Sequence, residues 1–258
     1  MSNDFDDDFS IDDAFKPEID FENRKKAASR PPDEDLSDPA APKGTVFYLT
    51  VSTPHTDGWE WHGPFPFFAK ILRIAQQVAR DSPSALATLE HVKSKGFTKL
   101  VVKDPIDETQ FSVLEVVTMT KAEVLAMLPK PVFTVLASGP MLHDYSEVYG
   151  KVMSANAKGR TINSKIIGSF TNGDSARTAA KNAMRDLIAN EDNAPEVSSS
   201  FPAADAGGGL IMAMNPRAKW EVRVYFETDA TCGMQAHFDE DEANVEKECK
   251  SSWRPGGV

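Results

Sequence analysis

Apolar positions recur along the chain with two periods, and the change from one period to the other marks out the elements. "TVFYLTVS" (Thr45–Ser52) is β-branched and aromatic, the composition of a strand. "FFAKILRIAQQVARD" then sets Phe68, Ile71, Leu72, Ala75, Val78 and Ala79 on one helical face. Ser82 is expected to cap a second helix, with Pro83 at its first position, Leu86, Leu89 and Val92 inward, and Gly96 as its stop. "KLVVK" and "FSVLEVVTM" predict two strands around the turn "DPIDET", and Thr120 with Glu123 predicts a capping box for a short helix that stops at Pro129.

The pattern then begins again. "PVFTVLAS" (Pro131–Ser138) predicts a strand, and "KIIGSF" a second strand after a long connection. Ala176, Ala179, Ala180, Ala183, Met184, Leu187 and Ile188 give a helix with a small-residue face, and "GLIMAM" and "KWEVRVYFE" are strands around "NPRA". The last strand alternates, with Trp220, Val222, Val224 and Phe226 on one side and Glu221, Arg223, Tyr225 and Glu227 on the other, as expected for a half-buried strand of an antiparallel sheet.

Aligned, the halves share a register. "GTVFYLTVS" falls on "KPVFTVLAS", Gly63-Pro64-Phe65 on Gly168-Ser169-Phe170, and "KLVVKDPIDETQFSVLEV" on "GLIMAMNPRAKWEVRVYF", which sets Pro105 against Pro216 and Phe111 against Trp220, each to within one residue. Each unit reads strand, strand, helix, strand, strand. The fold class is therefore α+β: two tandem ββαββ-like repeats whose antiparallel sheets are covered by helices. Repeat 1 is placed at 44–129 and repeat 2 at 130–230, with a flexible loop at 190–209. Residues 1–43 and 231–258 have almost no aliphatic periodicity and are expected to be disordered acidic tails. The second unit resembles uncharacterised fungal proteins and small domains of unknown function, which share a "vVyvv" strand, a "GxFxxxxxA" entry into a helix and a closing aromatic strand. Val132–Leu136, Gly168, Phe170, Ala176, Ala180 and Trp220–Phe226 carry that resemblance, which implies no activity.

Charge sharpens this division. Residues 1–43 hold 13 acidic against 6 basic side chains and 231–258 hold 6 against 3, so of the formal −11 only −1 belongs to the middle. No dense basic stripe occurs there, and nucleic acid is not an expected partner. No apolar run approaches the roughly 20 residues of a membrane span. The start "MSNDFDDDFS" is acidic where a secretory leader would be basic and then apolar. Both cysteines, Cys232 and Cys249, fall in the polar end, which suits a reducing compartment, so the expected location is cytoplasmic or nuclear.

Candidate chemistry is sparse. "IIGSFTNGDSAR" has the layout of a phosphate loop, but Phe170 and Thr171 fill it, and Asp174 is better read as a helix N-cap. "HTDGWEWHG" gathers His55, Asp57 and His62 without the tight spacing of a metal motif, so no metal or other cofactor is expected. Trp59, Trp61 and His62 remain as a candidate ligand-binding set at the interface between repeats; a hairpin packing its aromatic face inward would account for the same tryptophans. His143 has polar neighbours but no nucleophile with a defined base, and the chain is not expected to be an enzyme. The N-terminal "NDFDDDFSIDDAF" is the candidate partner-binding element, through Phe5, Asp7, Phe9 and Phe15. "FDDDF" resembles the Phe-x-Asp-x-Phe peptides that dock on endocytic adaptor appendages. The leading expectation is a non-enzymatic interaction scaffold that recruits a protein through this tail or through the repeat surface. The alternatives are a small-ligand-binding protein or divergent enzyme with a site near Trp59–His62, and a nuclear transcriptional co-regulator. An exposed edge strand, such as Trp220–Phe226, offers a route to a homodimer.

Overall fold

A computed structural model describes residues 30–93, 95–107, 109–148, 151–191, 195–201 and 208–227. Strands β1 (Thr45–Thr53) and β2 (Gly58–Phe65) form a hairpin, followed by helices α1 (Phe68–Val78) and α2 (Pro83–Val92). Strands β3 (Lys99–Lys103) and β4 (Phe111–Thr120) complete an antiparallel sheet in the order β2-β1-β4-β3. The short α3 (Ala122–Met127) leads to β5 (Val132–Val148), β6 (Lys151–Lys158), α4 (Arg160–Asn163) and β7 (Ser164–Phe170). Helix α5 (Gly173–Ile188), β8 (Glu196–Ser200), β9 (Gly209–Met214) and β10 (Ala218–Glu227) follow. The second sheet runs β6-β5-β10-β9-β8, with β7 also pairing β5. With β6 and β8 set aside, β7-β5-β10-β9 repeats the order of the first sheet, again with a helix between its second and third strands. The fold is α+β with two antiparallel sheets, and its halves share one topology.

The repeat extends to single residues. Phe47 pairs with Phe65 in the first hairpin and Phe133 with Phe170 in the second, and each pairing contains one register shift. The two aligned glycines both take positive φ, +120° at Gly63 and +149° at Gly168, a region that side chains avoid. At Gly63 a Cβ would also lie 2.8 Å from the Phe47 carbonyl oxygen.

Period-two alternation builds four layers. Phe47, Leu49 and Val51 of β1 face α1 and α2, where they pack with Ile71, Ala75, Leu89 and Phe97. Val46 and Tyr48 face the other way and meet Val132, Leu136 and Ile166 of the second sheet. On the far side, Val135, Ala137, Trp220, Val222 and Val224 pack beneath Ala176, Ala180, Ala183 and Met184 of α5. The alanines let this helix approach the sheet closely enough to bury Trp220 completely.

A polar knot sits between the sheets. The Tyr48 hydroxyl donates to Ser169 Oγ at 2.7 Å, and Ser169 Oγ shares a 2.8 Å hydrogen bond with Thr134 Oγ1. Tyr48 and Thr134 occupy equivalent places in the two repeats, so the halves meet here through the same position. Burial pushes the Tyr48 phenol up to about 12, with the Ser169 hydrogen bond opposing the rise. Ser169→Ala orphans two buried hydroxyls and is expected to cost about 2 kcal/mol, whereas Tyr48→Phe removes one donor for about 1 kcal/mol. Urea denaturation of both variants checks the order; equal losses would mean that the knot does not act as a unit.

Several local expectations are corrected. Thr120 ends β4 and caps nothing; Lys121 stands at the N-cap of α3 with no side-chain cap, its N–H donating to the Gly44 carbonyl. Ser82 holds the N-cap position before Pro83, but its hydroxyl meets Ser84 Oγ rather than a backbone N–H. Asn172, not Asp174, caps α5, and its side chain accepts from Ser175 N at 2.8 Å. The long connection before "KIIGSF" contains the end of β5, β6 and α4, and His143 lies in β5 with its N–H bonded to the Arg217 carbonyl. The loop at 190–209 contains β8, whose side chains are exposed and which is held by its ladder to β9. The segment assigned to the acidic tail also meets the fold: Asp35 bridges Lys99 and Glu34 accepts from Val101 N, covering the edge of β3. Finally, Trp220–Phe226 is no edge, since β10 is paired by β5 on one side and β9 on the other.

Candidate functional site

Two concave places stand out among the described residues. The first is a cleft of about 60 Å³ between the repeats, lined by Trp59, Trp61, Ser138, Arg160, Glu221 and Tyr225 among others. The β1–β2 hairpin places both tryptophans here: Ser52 pairs with Trp59 and Thr50 with Trp61, so both rings point toward the second sheet. Trp61 meets Tyr225 with ring centroids 5.7 Å apart and planes at 55°. His62 does not join them. It pairs with Leu49, on the helix-facing side, where it is 7% exposed and burial lowers its pKa to about 4.

Glu221, only 3% exposed, forms the floor of this cleft. Arg223 Nε donates to its Oε1. Oε2 lies 3.1 Å from Lys219 Nζ and 3.8 Å from Arg160 Nη2, as ion pairs without a directed hydrogen bond. Burial raises the Glu221 carboxyl, but the cations of Arg223 and Lys219 outweigh it and hold the group below the usual carboxylate range. The polar side of β10 therefore faces the other repeat as well as solvent. The Lys-x-Glu-x-Arg alternation at 219–223 was the signal in the sequence for an ion cluster on one strand face.

Asp57 secures the rim. It sits at φ +55° after the turn Pro54–Thr56, and its carboxylate reaches across to the start of α4. Oδ2 accepts from Gly159 N at 2.7 Å and Arg160 N at 3.1 Å, and Oδ1 accepts from Thr161 N at 3.0 Å. With its oxygens committed to backbone donors, Asp57 serves as a cap rather than a metal ligand. No group of three His, Cys, Asp or Glu able to hold a metal occurs among the described residues.

The second place is a groove of about 510 Å³ at the end of the second sheet. Phe133 and Phe226, directly paired across β5 and β10, form its floor with ring centroids 4.5 Å apart. Met127 and Pro131 extend the apolar surface, Phe201 adds a further ring, and Lys130 and Arg177 supply positive charge at its sides. The Arg177 guanidinium lies 5.6 Å from the centre of the Phe201 ring. Asp174 is the acidic residue of the lining. Sequence reading missed this groove because it is assembled from the α3–β5 junction, the β7–α5 turn and the ends of β8 and β10.

Phe5, Asp7, Phe9 and Phe15 lie outside the described residues, as do Cys232 and Cys249. No helix among the described residues is long and apolar enough to cross a membrane. No family model, curated protein or solved structure matches the chain.

Proposed function

We propose that the protein is a non-enzymatic interaction scaffold whose repeats form a platform and whose groove beside α5 receives a short acidic, aromatic peptide. The observation that carries this reading is the groove itself: paired phenylalanines on its floor, with Lys130 and Arg177 at its sides. Such a surface offers ring-sized apolar contact together with charge that selects acidic neighbours. The buried ionisable groups favour binding over catalysis, because each is engaged in the architecture. Tyr48 bonds Ser169, Glu221 is held among cations, and His62 is enclosed in the core. The inter-repeat cleft, at about 60 Å³, is far smaller than the roughly 300–1,000 Å³ of a typical small-molecule site.

The N-terminal "FDDDF" has the composition this groove would select. Titrating the isotopically labelled full chain with a peptide of residues 3–13, up to millimolar concentration, is expected to shift amide resonances at Thr171–Asp174, Arg177 and Phe226. Lys130→Glu is expected to weaken the response about tenfold. Shifts centred instead on Trp59 and Trp61 would move the binding site to the cleft and overturn the groove assignment.

A further inference from the structure

The route to a homodimer that β10 does not offer is open at β8. Strand β8 ends the order β6-β5-β10-β9-β8, and among the described residues no segment pairs with its outer edge. All five of its side chains are exposed, and the N–H and C=O groups of its outer edge form a bare row of donors and acceptors. We infer that this edge is an interface for a second copy of the chain: β8 pairs antiparallel with β8 of the copy about a two-fold axis at Ser198, joining the two second sheets into one.

The first argument is that β8 lacks the protection the other outer strands carry. Among the described residues, β2, β6 and β7 each pair with a register shift, which bends the strand and interrupts any further ladder. Strand β3 is covered, because Asp35 bridges Lys99 and Glu34 accepts from Val101 N. The β8 ladder runs from the Glu196–Met214 pair to the Ser200–Leu210 pair without a shift, and β8 holds no proline or lysine. Such a strand is a regular template for the addition of another.

The second argument is self-complementarity, which selects a copy of this chain over a foreign strand. A two-fold axis at Ser198 uses all five residues. It sets Glu196 opposite the partner's Ser200 and Val197 opposite the partner's Ser199, so no like charges face each other. Val197 pairs with Ala213, which packs beneath α5, so Val197 lies on the α5 side of the sheet. It is 50% exposed, and the partner's Val197 falls on the diagonal of the same face, where each side chain covers the other. A foreign strand is recognised through pockets for its side chains, and no β8 residue lines either concave place. Two five-residue strands bury less than the roughly 1,200 Å² of a standard interface, so the dimer is weak and depends on concentration.

The test is sedimentation equilibrium of full-length chains from about 1 μM to about 1 mM, a range in which the wild type is expected to pass from monomer to dimer. Ser198→Lys places like charges opposite each other at the axis and should weaken the dimer about fivefold, and Ser198→Glu should do the same. An equimolar mixture of these two variants should recover association, because lysine then faces glutamate. Ser200→Lys, set twice against Glu196, should strengthen the dimer about fivefold. Both serines are exposed in the single chain, so these substitutions leave the fold intact. A wild type that stays monomeric throughout would overturn the inference. A dimer that none of the substitutions moves would place the interface elsewhere and overturn it equally. Weakening by both Ser198 variants that their mixture does not reverse would show that β8 does not pair with itself.

Discussion

Acidification from about pH 6.5 to pH 4 is expected to cost the fold about 3 kcal/mol through His62 alone. Burial is the cause: His62 shares the helix-facing side of the first sheet with Leu49, and its pKa falls from 6.5 to about 4. Below 6.5 the unfolded chain takes up a proton that the folded chain refuses. Stability is therefore complete above the unfolded value, declines as the pH falls, and has lost this contribution once the folded value is passed. His62→Phe is expected to flatten the pH dependence of urea stability between 6.5 and 4, whatever its effect at neutral pH. A wild-type curve that is flat over this window would show that His62 is solvated in the native state and not part of the core.

The sequence revealed side-chain faces far better than it revealed neighbours. β1 and β5 were legible because Val-Phe-Tyr-Leu and Val-Phe-Thr-Val alternate between two buried surfaces, and Gly63 and Gly168 marked the same kink in both hairpins. The alternation of β10 correctly separated Trp220, Val222 and Val224 from Glu221 and Arg223. It carried no information about which strands flank β10 in the sheet. Its two ladders, to β5 and β9, use backbone groups that every residue possesses, and so a central strand was read as an edge. β8 was missed for the same reason: "EVSSS" buries no side chain, and only its pairing with β9 makes it a strand. The aromatic turn after β1 was legible as an inward-facing hairpin, whereas Glu221, Arg160 and Tyr225 opposite it come from repeat 2 and had no local mark tying them to Trp59.

Asp57 shows how much one residue can depend on a partner about a hundred positions away, and Asp57→Ala is expected to cost about 3 kcal/mol. Its carboxylate accepts three backbone N–H groups at Gly159, Arg160 and Thr161, while Thr161 Oγ1 returns a hydrogen bond to the Gly58 carbonyl at 3.0 Å. Charge-assisted bonds of this kind contribute about 1.5–3 kcal/mol each, but all three donors are only part-buried, and water recovers much of the loss. Two further variants separate the cap from backbone strain at φ +55°. Asp57→Gly removes the carboxylate without a left-handed penalty and should cost about 2 kcal/mol. Asp57→Asn keeps one acceptor and tolerates the same φ, and should cost about 1 kcal/mol. The cap joins the turn of repeat 1 to the start of α4 in repeat 2, so its loss should also open the seam locally. Trypsin cleavage after Arg160 is expected to accelerate in Asp57→Gly under native conditions, and by more than the global stability loss explains. If all three variants stay within about 0.5 kcal/mol of wild type and resist trypsin equally, the sheets are held together by the Tyr48–Ser169–Thr134 knot and its surrounding apolar layer, and the rim contributes nothing.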